Sequence, residues 1–397
     1  MSGPMTGIKV VELGVWVAGP SCAGVLADWG AEVVKIEPPG GGDPFRGLYG
    51  PNTVNGAFEL DNRGKRSIAL DVGSDQGRAV ALELLSGADV LVTNLRPRVL
   101  DRWGLDYDSL AERCPRLIYA SVTGYGTSGP DRDRASYDFG AFWARSGMAS
   151  ALTRPGETPP AARGGMGDHA TAMGLCAGVA AALFERERTG AGQLVSTSLF
   201  RSGVFIMGWD TSLSLRSAAP NPVGMRREQS VNPAFNSYAD SQGRWFWLLG
   251  LQGDRHWPDL MRAVGREDLI AAPGYANLRE RMAKREEIVV MLDGIFAGEP
   301  LSHWGPVFDR EDVWWAPVQT TDELLSDPQA VANGVFIDAP VPEGTAKVVA
   351  TPIDFSASPW APARPCPELG QHTEEVLLEL GYDWDRIIEL KEAAVIP

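Results

Sequence analysis

What the sequence lacks narrows its function first. Cysteine is scarce, with four among 397 residues. Cys22, Cys114, Cys176 and Cys366 are far apart and form no CxxC, so the expectation is buried free thiols rather than disulfides or thiolate ligands. That usage suits a reducing cytoplasm. The four histidines, His169, His256, His303 and His372, show no zinc-like spacing, and no metal is expected. No apolar stretch approaches the ~20 residues that span a bilayer. The opening "MSGPMTGIKVVELG" has no basic segment followed by an apolar run, as a secretory leader would. Positive charge is in deficit: 36 Lys and Arg stand against 51 Asp and Glu, a net charge of −15. An acidic chain repels nucleic acid and anionic membranes, so neither is an expected partner, and an anionic ligand needs a local basic cluster.

What is present reads as globular. The chain is 44% hydrophobic and 22% charged, and its length suggests two or three domains. The first hundred or so residues alternate strand and helix patterns. "IKVVEL", "EVVKIE", "RSIALD", "DVLVTN" and "RLIYASVTG" read as strands, with helices over Ala23–Ala31 and, opened by Ser74, over 74–88. Strands separated by such helices imply βαβ units and a parallel sheet, hence an α/β class. A long helix follows Asp168, and 193–209 continues as strand or helix. Composition then shifts: 216–237 is rich in Pro, Asn and Arg, a linker pattern. A strand at "RWFWLLGL" and a helix at "REEIVVMLDGIFAG" indicate a smaller α+β domain. A Pro-rich connector and a closing helix near "TEEVLLELG" end the chain. The expected division is 1–215 for a large domain, 216–330 for the small one, and 331–397 returning to the large one.

Several stretches carry candidate chemistry, each beside a plainer reading. Gly14 and Gly19 follow the first strand and Glu37 ends the second, where a ribose-binding acid would fall. But the spacing is not GxGxxG, and a tight βα turn explains it as well. Two basic clusters, Arg63, Lys65 and Arg66, then Asn94, Arg96, Arg98 and Arg102, lie near strand ends. They are either solvated surface or a phosphate site. The glycine loop "TGYGTSGPDRDRASYD" is either a surface loop or a place where backbone N–H groups meet a substrate. Asp168 opens a helix of small residues. It is either an N-cap or a nucleophile held ionised by the helix dipole, with Ala170, Ala172 and Gly174 leaving room for a ligand.

Seven stretches occur in the order found in the family III CoA-transferases, which the chain resembles: "VVELGVWVAGPSCAGVLADWGAEVVKIEPPGGGDPFR", "NRGKRSIALD", "VTGYGTSGP", "SYDFGAFWARSGM", "GDHATAMGLCAGVAAALFERERTGAGQ", "APVQTTDELLSDPQ" and "LGQHTEEVLLELGY". They cover most of the chain, least between about 216 and 315. The resemblance implies a Rossmann-like large domain with a parallel sheet, built from both ends of the chain, plus a smaller α+β domain, in a homodimer of interlocked rings. It implies CoA transfer from an acyl-CoA to a carboxylic acid, with coenzyme A and its thioesters as substrates and no prosthetic group. Asp168 falls on the nucleophile, which forms a mixed anhydride and then an aspartyl-CoA thioester. Val17 and Ala18 fall beside the pantetheine. Leu70, Asn94, Leu95 and Arg102 fall at the adenine and phosphate contacts, and Tyr137 near the nucleophile.

The departures concern the substrate. Formyl-CoA transferases have glutamine where Val17 stands, a basic residue at Pro38, a lysine at Ala135, and a glycine run where this chain reads "LLGLQGDRHW". An oxalate-type substrate is therefore not expected. Trp16, Val17, Phe45 and Tyr49 suggest a bulkier or more apolar acyl group. The alternative is an α-methylacyl-CoA racemase. Those relatives place a histidine before the aspartate matched by Asp138, where this chain has Tyr137, a poor base at neutral pH.

Overall fold

The computed structural model describes residues 3–50, 54–217 and 224–397. The chain divides into two compact units. One comprises 1–151, 160–221 and 331–397; the other comprises 152–159 and 222–330. The stretch 218–223, inside the expected linker, lies outside the described residues.

The first unit is built on six strands: β1 (Lys9–Leu13), β2 (Glu32–Glu37), β3 (Arg66–Ala69), β4 (Val90–Thr93), β5 (Ile118–Thr123) and β6 (Leu194–Ser198). Every pairing is parallel, in the order β3-β2-β1-β4-β5-β6. Alternate residues serve opposite faces, as a period of two requires. Val10, Val90, Val92, Ile118, Ala120 and Val122 join one core layer. Val11, Leu13, Val34, Ile36, Leu91 and Tyr119 join the other. Both faces are covered, which is why these strands read as nearly continuous apolar runs.

The helices of this unit include α1 (Ala18–Asp28), α2 (Gly56–Asn62), α3 (Asp75–Ser86), α4 (Pro97–Trp103), α5 (Met166–Thr189) and α6 (Leu199–Ile206). Ser74 caps α3 as expected, accepting from the Gly77 N–H at 3.0 Å. α1 starts five residues before the expected Ala23, because Pro20 falls in the first turn, where a missing N–H costs no intrahelical bond. α1 is buried throughout and meets α5 through small residues. Ala18, Cys22 and Ala23 face Ala172, Cys176 and Val179 in one core, and the Cys22 and Cys176 sulfurs are 3.4 Å apart. All four cysteines are free thiols; Cys22 and Cys176 are buried, Cys114 and Cys366 half-buried.

The second unit holds an antiparallel sheet of β7 (Phe235–Ala239), β8 (Trp245–Leu249) and β9 (Trp315–Pro317). It packs with α7 (Gly253–Ala263), α8 (Arg285–Phe296) and α9 (Leu301–Arg310) around Tyr238, Phe246, Trp257, Phe296 and Phe308. The chain then returns to the first unit. A hairpin, β10 (Phe336–Val341) and β11 (Gly344–Val349), precedes α10 (Thr373–Glu379) and α11 (Trp384–Glu392). The Ala69 N–H donates to Thr373 Oγ1 at 3.0 Å, and the Asp71 N–H to the Val395 carbonyl at 2.8 Å, stitching the chain end to β3. Among the described residues no helix is long and apolar enough to cross a membrane.

Candidate active site

A cavity of about 340 Å³ opens at the carboxyl ends of β1, β4 and β5. The strand order reverses between β1 and β4, so this is the switch point where open α/β sheets bind ligands. Val15 to Ala18 line it from the β1–α1 turn, and Asn94 to Pro97 from the β4–α4 turn. Val122 to Gly124 follow from the end of β5, and Arg132 and Arg134 to Tyr137 from the glycine loop. Asp168 comes from the first turn of α5.

Asp168 is placed by an unusual helix start. The N-cap is Gly165, in the left-handed region at φ 78°, with no side-chain cap. A Cβ there would meet the His169 ring at 3.3 Å, so glycine suits both the backbone and the space. Asp168 is therefore not the N-cap that the sequence allowed; it is the third residue of the helix, within its first turn. Nor is it held ionised by the helix dipole. Burial, followed by the neighbouring Asp138 carboxylate, pushes its pKa up to about 7. Asp138 is buried beside it, with its oxygens accepting from Phe139 N–H at 2.8 Å and Gly167 N–H at 3.3 Å. His169 Nε2 lies 3.0 Å from Oδ1 of Asp61, which is buried on α2. That hydrogen bond, with the carboxylates around it, raises the imidazole above its ordinary pKa, and the imidazolium in turn pulls Asp168 downward.

The expected site residues divide into two groups. Asp168, Val17, Ala18, Asn94, Leu95 and Tyr137 all line the cavity. Asn94 does so with its amide already engaged: Oδ1 accepts from Val15 N–H at 2.9 Å and Nδ2 donates to the Val15 carbonyl at 2.7 Å. Leu70 and Arg102 are not among the lining residues. Leu70 is buried in the core layer below β3. Arg102 is exposed on α4, its guanidinium 5.9 Å from the Trp103 ring.

Other readings are corrected by the structure. Glu37 is fully engaged and offers nothing to a ribose: Oε1 accepts from Arg46 Nε at 2.8 Å and Asp43 N–H at 3.0 Å, and Oε2 from Arg46 at 2.7 Å and Ser67 at 2.6 Å. The first basic cluster is internal. Arg63 pairs with Asp28 at 2.6 Å, Lys65 with Glu12 at 2.6 Å, and Arg66 with Glu375 and Glu379 at 3.0 and 2.7 Å. The small residues after Asp168 do not make room for a ligand. Ala172 is fully buried and Ala170 packs on the core, while Gly174 faces open space. In the stretch "LLGLQGDRHW", a Cβ on Gly250 would meet the Ala234 carbonyl oxygen at 2.7 Å, so packing accounts for that glycine.

Sequence reasoning missed Asp61, whose partner His169 is 108 residues away. It also missed the buried chain Glu12–Lys35–Asp43, with contacts of 2.6 and 2.9 Å, beneath the β1–α1 turn. The cavity's cations are Arg96, Arg132 and Arg134. Arg132 pairs with Asp101 at 2.8 Å and Arg134 with Asp131 at 3.4 Å, whereas Arg96 has no ion pair among the described residues. Among the described residues no group of three His, Cys, Asp or Glu side chains converges to hold a metal.

Together these features define an α/β protein with a carboxylate, Asp168, in a cavity at the switch point of a parallel sheet. The family follows from comparison with known proteins. The model of CoA-transferase family III matches residues 5–373. The chain is 33% identical to (R)-2-hydroxy-4-methylpentanoate CoA-transferase of Clostridioides difficile, covering 99% of each. It is 34% identical to cinnamoyl-CoA:phenyllactate CoA-transferase of Clostridium sporogenes, covering 98% of this chain and 96% of that one. The crystal structure of a CAIB/BAIF family protein from Brucella suis superposes with a TM-score of 0.84 at 30% identity, covering 96% of this chain and 100% of that one. The chain belongs to CoA-transferase family III and is an enzyme, an acyl-CoA:carboxylate CoA-transferase.

Proposed function

We propose that Asp168 is the nucleophile that carries CoA between two acids. A carboxylate oxygen of Asp168 attacks the thioester carbonyl carbon; the C–S bond breaks and CoA departs as thiolate, leaving a mixed anhydride. The thiolate then attacks the Asp168 carbonyl, releasing the donor acid as carboxylate and leaving an aspartyl-CoA thioester. The acceptor carboxylate attacks that thioester, expelling CoA thiolate and forming a second anhydride. The thiolate attacks the acceptor's carbonyl, which yields the new acyl-CoA and restores Asp168. Protons balance without an external acid or base, and the anhydride conserves the activation of the thioester.

The observation that carries this reading is the placement of Asp168, a carboxylate in a cavity at the switch point with a pKa near 7. An ordinary carboxylate is far less basic than a thiolate, whose reference pKa is about 8.5. Raising Asp168 toward 7 narrows that gap and makes it a stronger nucleophile, while half of it stays ionised at neutral pH. Arg96, which lines the cavity without an ion-pair partner among the described residues, suits the phosphates of CoA. The racemase alternative is disfavoured, since Tyr137 occupies the position where a second base would stand. A homodimer belongs to the same reading, supported by the exposed apolar side chains Phe205 and Trp209, 83% and 89% exposed. Sedimentation at twice the 42.7 kDa chain mass checks it.

The decisive experiment is mass spectrometry of the enzyme incubated with a panel of acyl-CoAs and quenched with hydroxylamine. A CoA adduct or hydroxamate on Asp168 is expected. Turnover with no adduct on that residue, or unchanged transfer by Asp168→Ala, refutes the assignment.

A further inference from the structure

The β1–α1 turn contains a backbone conformation that needs an explanation. Trp16 has φ 63°, in the left-handed region that bulky side chains avoid. Its neighbours force it there from both sides. The Trp16 N–H donates to Asp43 Oδ1 at 2.9 Å, and Asp43 is fully buried. The same Oδ1 accepts from Phe45 N–H at 3.0 Å, and Oδ2 binds Lys35 Nζ at 2.9 Å. Lys35 also reaches Glu12 at 2.6 Å and the Gly14 carbonyl at 3.2 Å. Burial alone would lower the lysine pKa; the Glu12, Asp43 and Glu37 carboxylates more than reverse that, so it stays charged. On the other side, the Asn94 amide grips Val15 by both its N–H and its carbonyl.

A glycine would adopt this turn without steric strain, so the turn alone does not explain an indole here. The conformation swings the Trp16 ring against Tyr137, edge to face at 5.4 Å between centroids, and toward Phe45 at 6.1 Å. Trp16 and Tyr137 line the same cavity as Asp168, and Tyr137 is 60% exposed. Val15, Val17, Leu95, Val99, Val122 and Leu199 complete an apolar lining. Two of the cavity's three arginines are already paired with aspartates. The cavity thus carries an apolar surface of aromatic and aliphatic side chains beside a polar one that includes Asn94, Asp168 and Arg96.

We infer that Trp16 and Tyr137 form the wall against which the acyl chain packs, and that this wall selects branched or aryl acyl groups over short ones. The inference rests on the cavity being the acyl-CoA site, and it deepens that reading by naming the substrate class. Packing a phenyl or isobutyl group on such a wall discriminates by roughly 30-fold against acetyl.

The test is equilibrium binding, which needs no turnover. Two uncleavable thioethers of CoA, S-acetonyl-CoA and S-(2-oxo-4-phenylbutyl)-CoA, are titrated calorimetrically into the wild type, Trp16→Ala, Trp16→Gly and Trp16→Phe. The wild type is expected to prefer the phenyl ligand by roughly 30-fold. In Trp16→Ala and Trp16→Gly the preference should fall below roughly threefold, and Trp16→Phe should restore most of it. Trp16→Gly relieves the strained turn, so its loss of preference cannot be laid to misfolding. A wild type without preference, or a Trp16→Ala that keeps it, overturns the inference. The Asp168 adduct is read separately in the wild type, so either claim fails without the other.

Discussion

Asp168→Asn should abolish CoA transfer and yet make the protein more stable at neutral pH, by an amount that depends on pH in a defined way. The Asp168 pKa is pushed from an ordinary 3.8 to about 7. Between those values the folded state holds a proton that the unfolded chain has released. Raising the pH through this window therefore costs the wild-type folded state. The gap is about three units at about 1.36 kcal/mol each, a ceiling of about 4 kcal/mol above pH 7. Solvent at the cavity mouth screens part of it, leaving roughly 2 kcal/mol. Asparagine has the same shape and never ionises, so it escapes the penalty. In thermal scans the variant should melt roughly 4 °C above the wild type at pH 8. The two should converge near pH 4, where both side chains are uncharged in the folded protein. A difference constant between pH 4 and 8, or a wild type more stable at pH 8, would refute the claim that burial and Asp138 hold this carboxylate in a strained ionic state.

The neighbours of Asp168 should move the rate profile in opposite directions. Activity requires the ionised carboxylate and should fall as pH drops through about 7. Asp138→Asn removes a like charge, so this acid limb should shift to lower pH; the amide oxygen introduced there can still accept from one of the two N–H groups that Asp138 binds. His169→Gln removes the cation that favours ionised Asp168, so the limb should shift to higher pH. pH profiles of kcat/KM for the two variants check both signs. Arg96→Ala should raise KM for the acyl-CoA roughly tenfold, equivalent to about 1.4 kcal/mol. Arg102→Ala, outside the cavity, should change it less than about twofold. Gly24→Ala should destabilise by about 2 kcal/mol or more in denaturant titrations, because its Cβ would lie 2.6 Å from the Asp61 carbonyl oxygen, where α1 crosses α2.

The strands and the helix start that carries Asp168 are legible because each leaves a local signature. β1, β2, β4 and β5 are short β-branched runs buried on both faces, and the turns after β1 and β4 carry Val17 and Asn94 into the cavity. Charge is not legible in the same way. Arg63, Lys65 and Arg66 look like a ligand cluster in the sequence, but each closes on a carboxylate, Asp28 and Glu12 upstream and Glu375 and Glu379 from the chain's last tenth. Nothing near them announces those partners. Glu37 is taken up by Arg46 and Ser67 in the same way. The sequence points to Asp168 by its position and misleads about its ionisation: the helix start is visible in the sequence, and the burial and the Asp138 charge that outweigh it are not.

The small-residue helix that carries Asp168 has a reason that differs from the one its sequence suggests. Ala172, Cys176 and Val179 do not clear space around the carboxylate; they let α5 settle against Ala18, Cys22 and Ala23 of α1. α1 begins at Ala18, immediately after the strained turn at Trp16, so the close packing of the two helices ties Asp168 to the turn across the cavity. The buried Glu12–Lys35–Asp43 chain fixes that turn from below, and Asp61 on α2 holds His169 from the side. Trp16 and Asp168, which face the cavity, are thus set by contacts made outside it. The sheet fixes where the cavity lies, and the charges buried beneath it determine which surfaces line it.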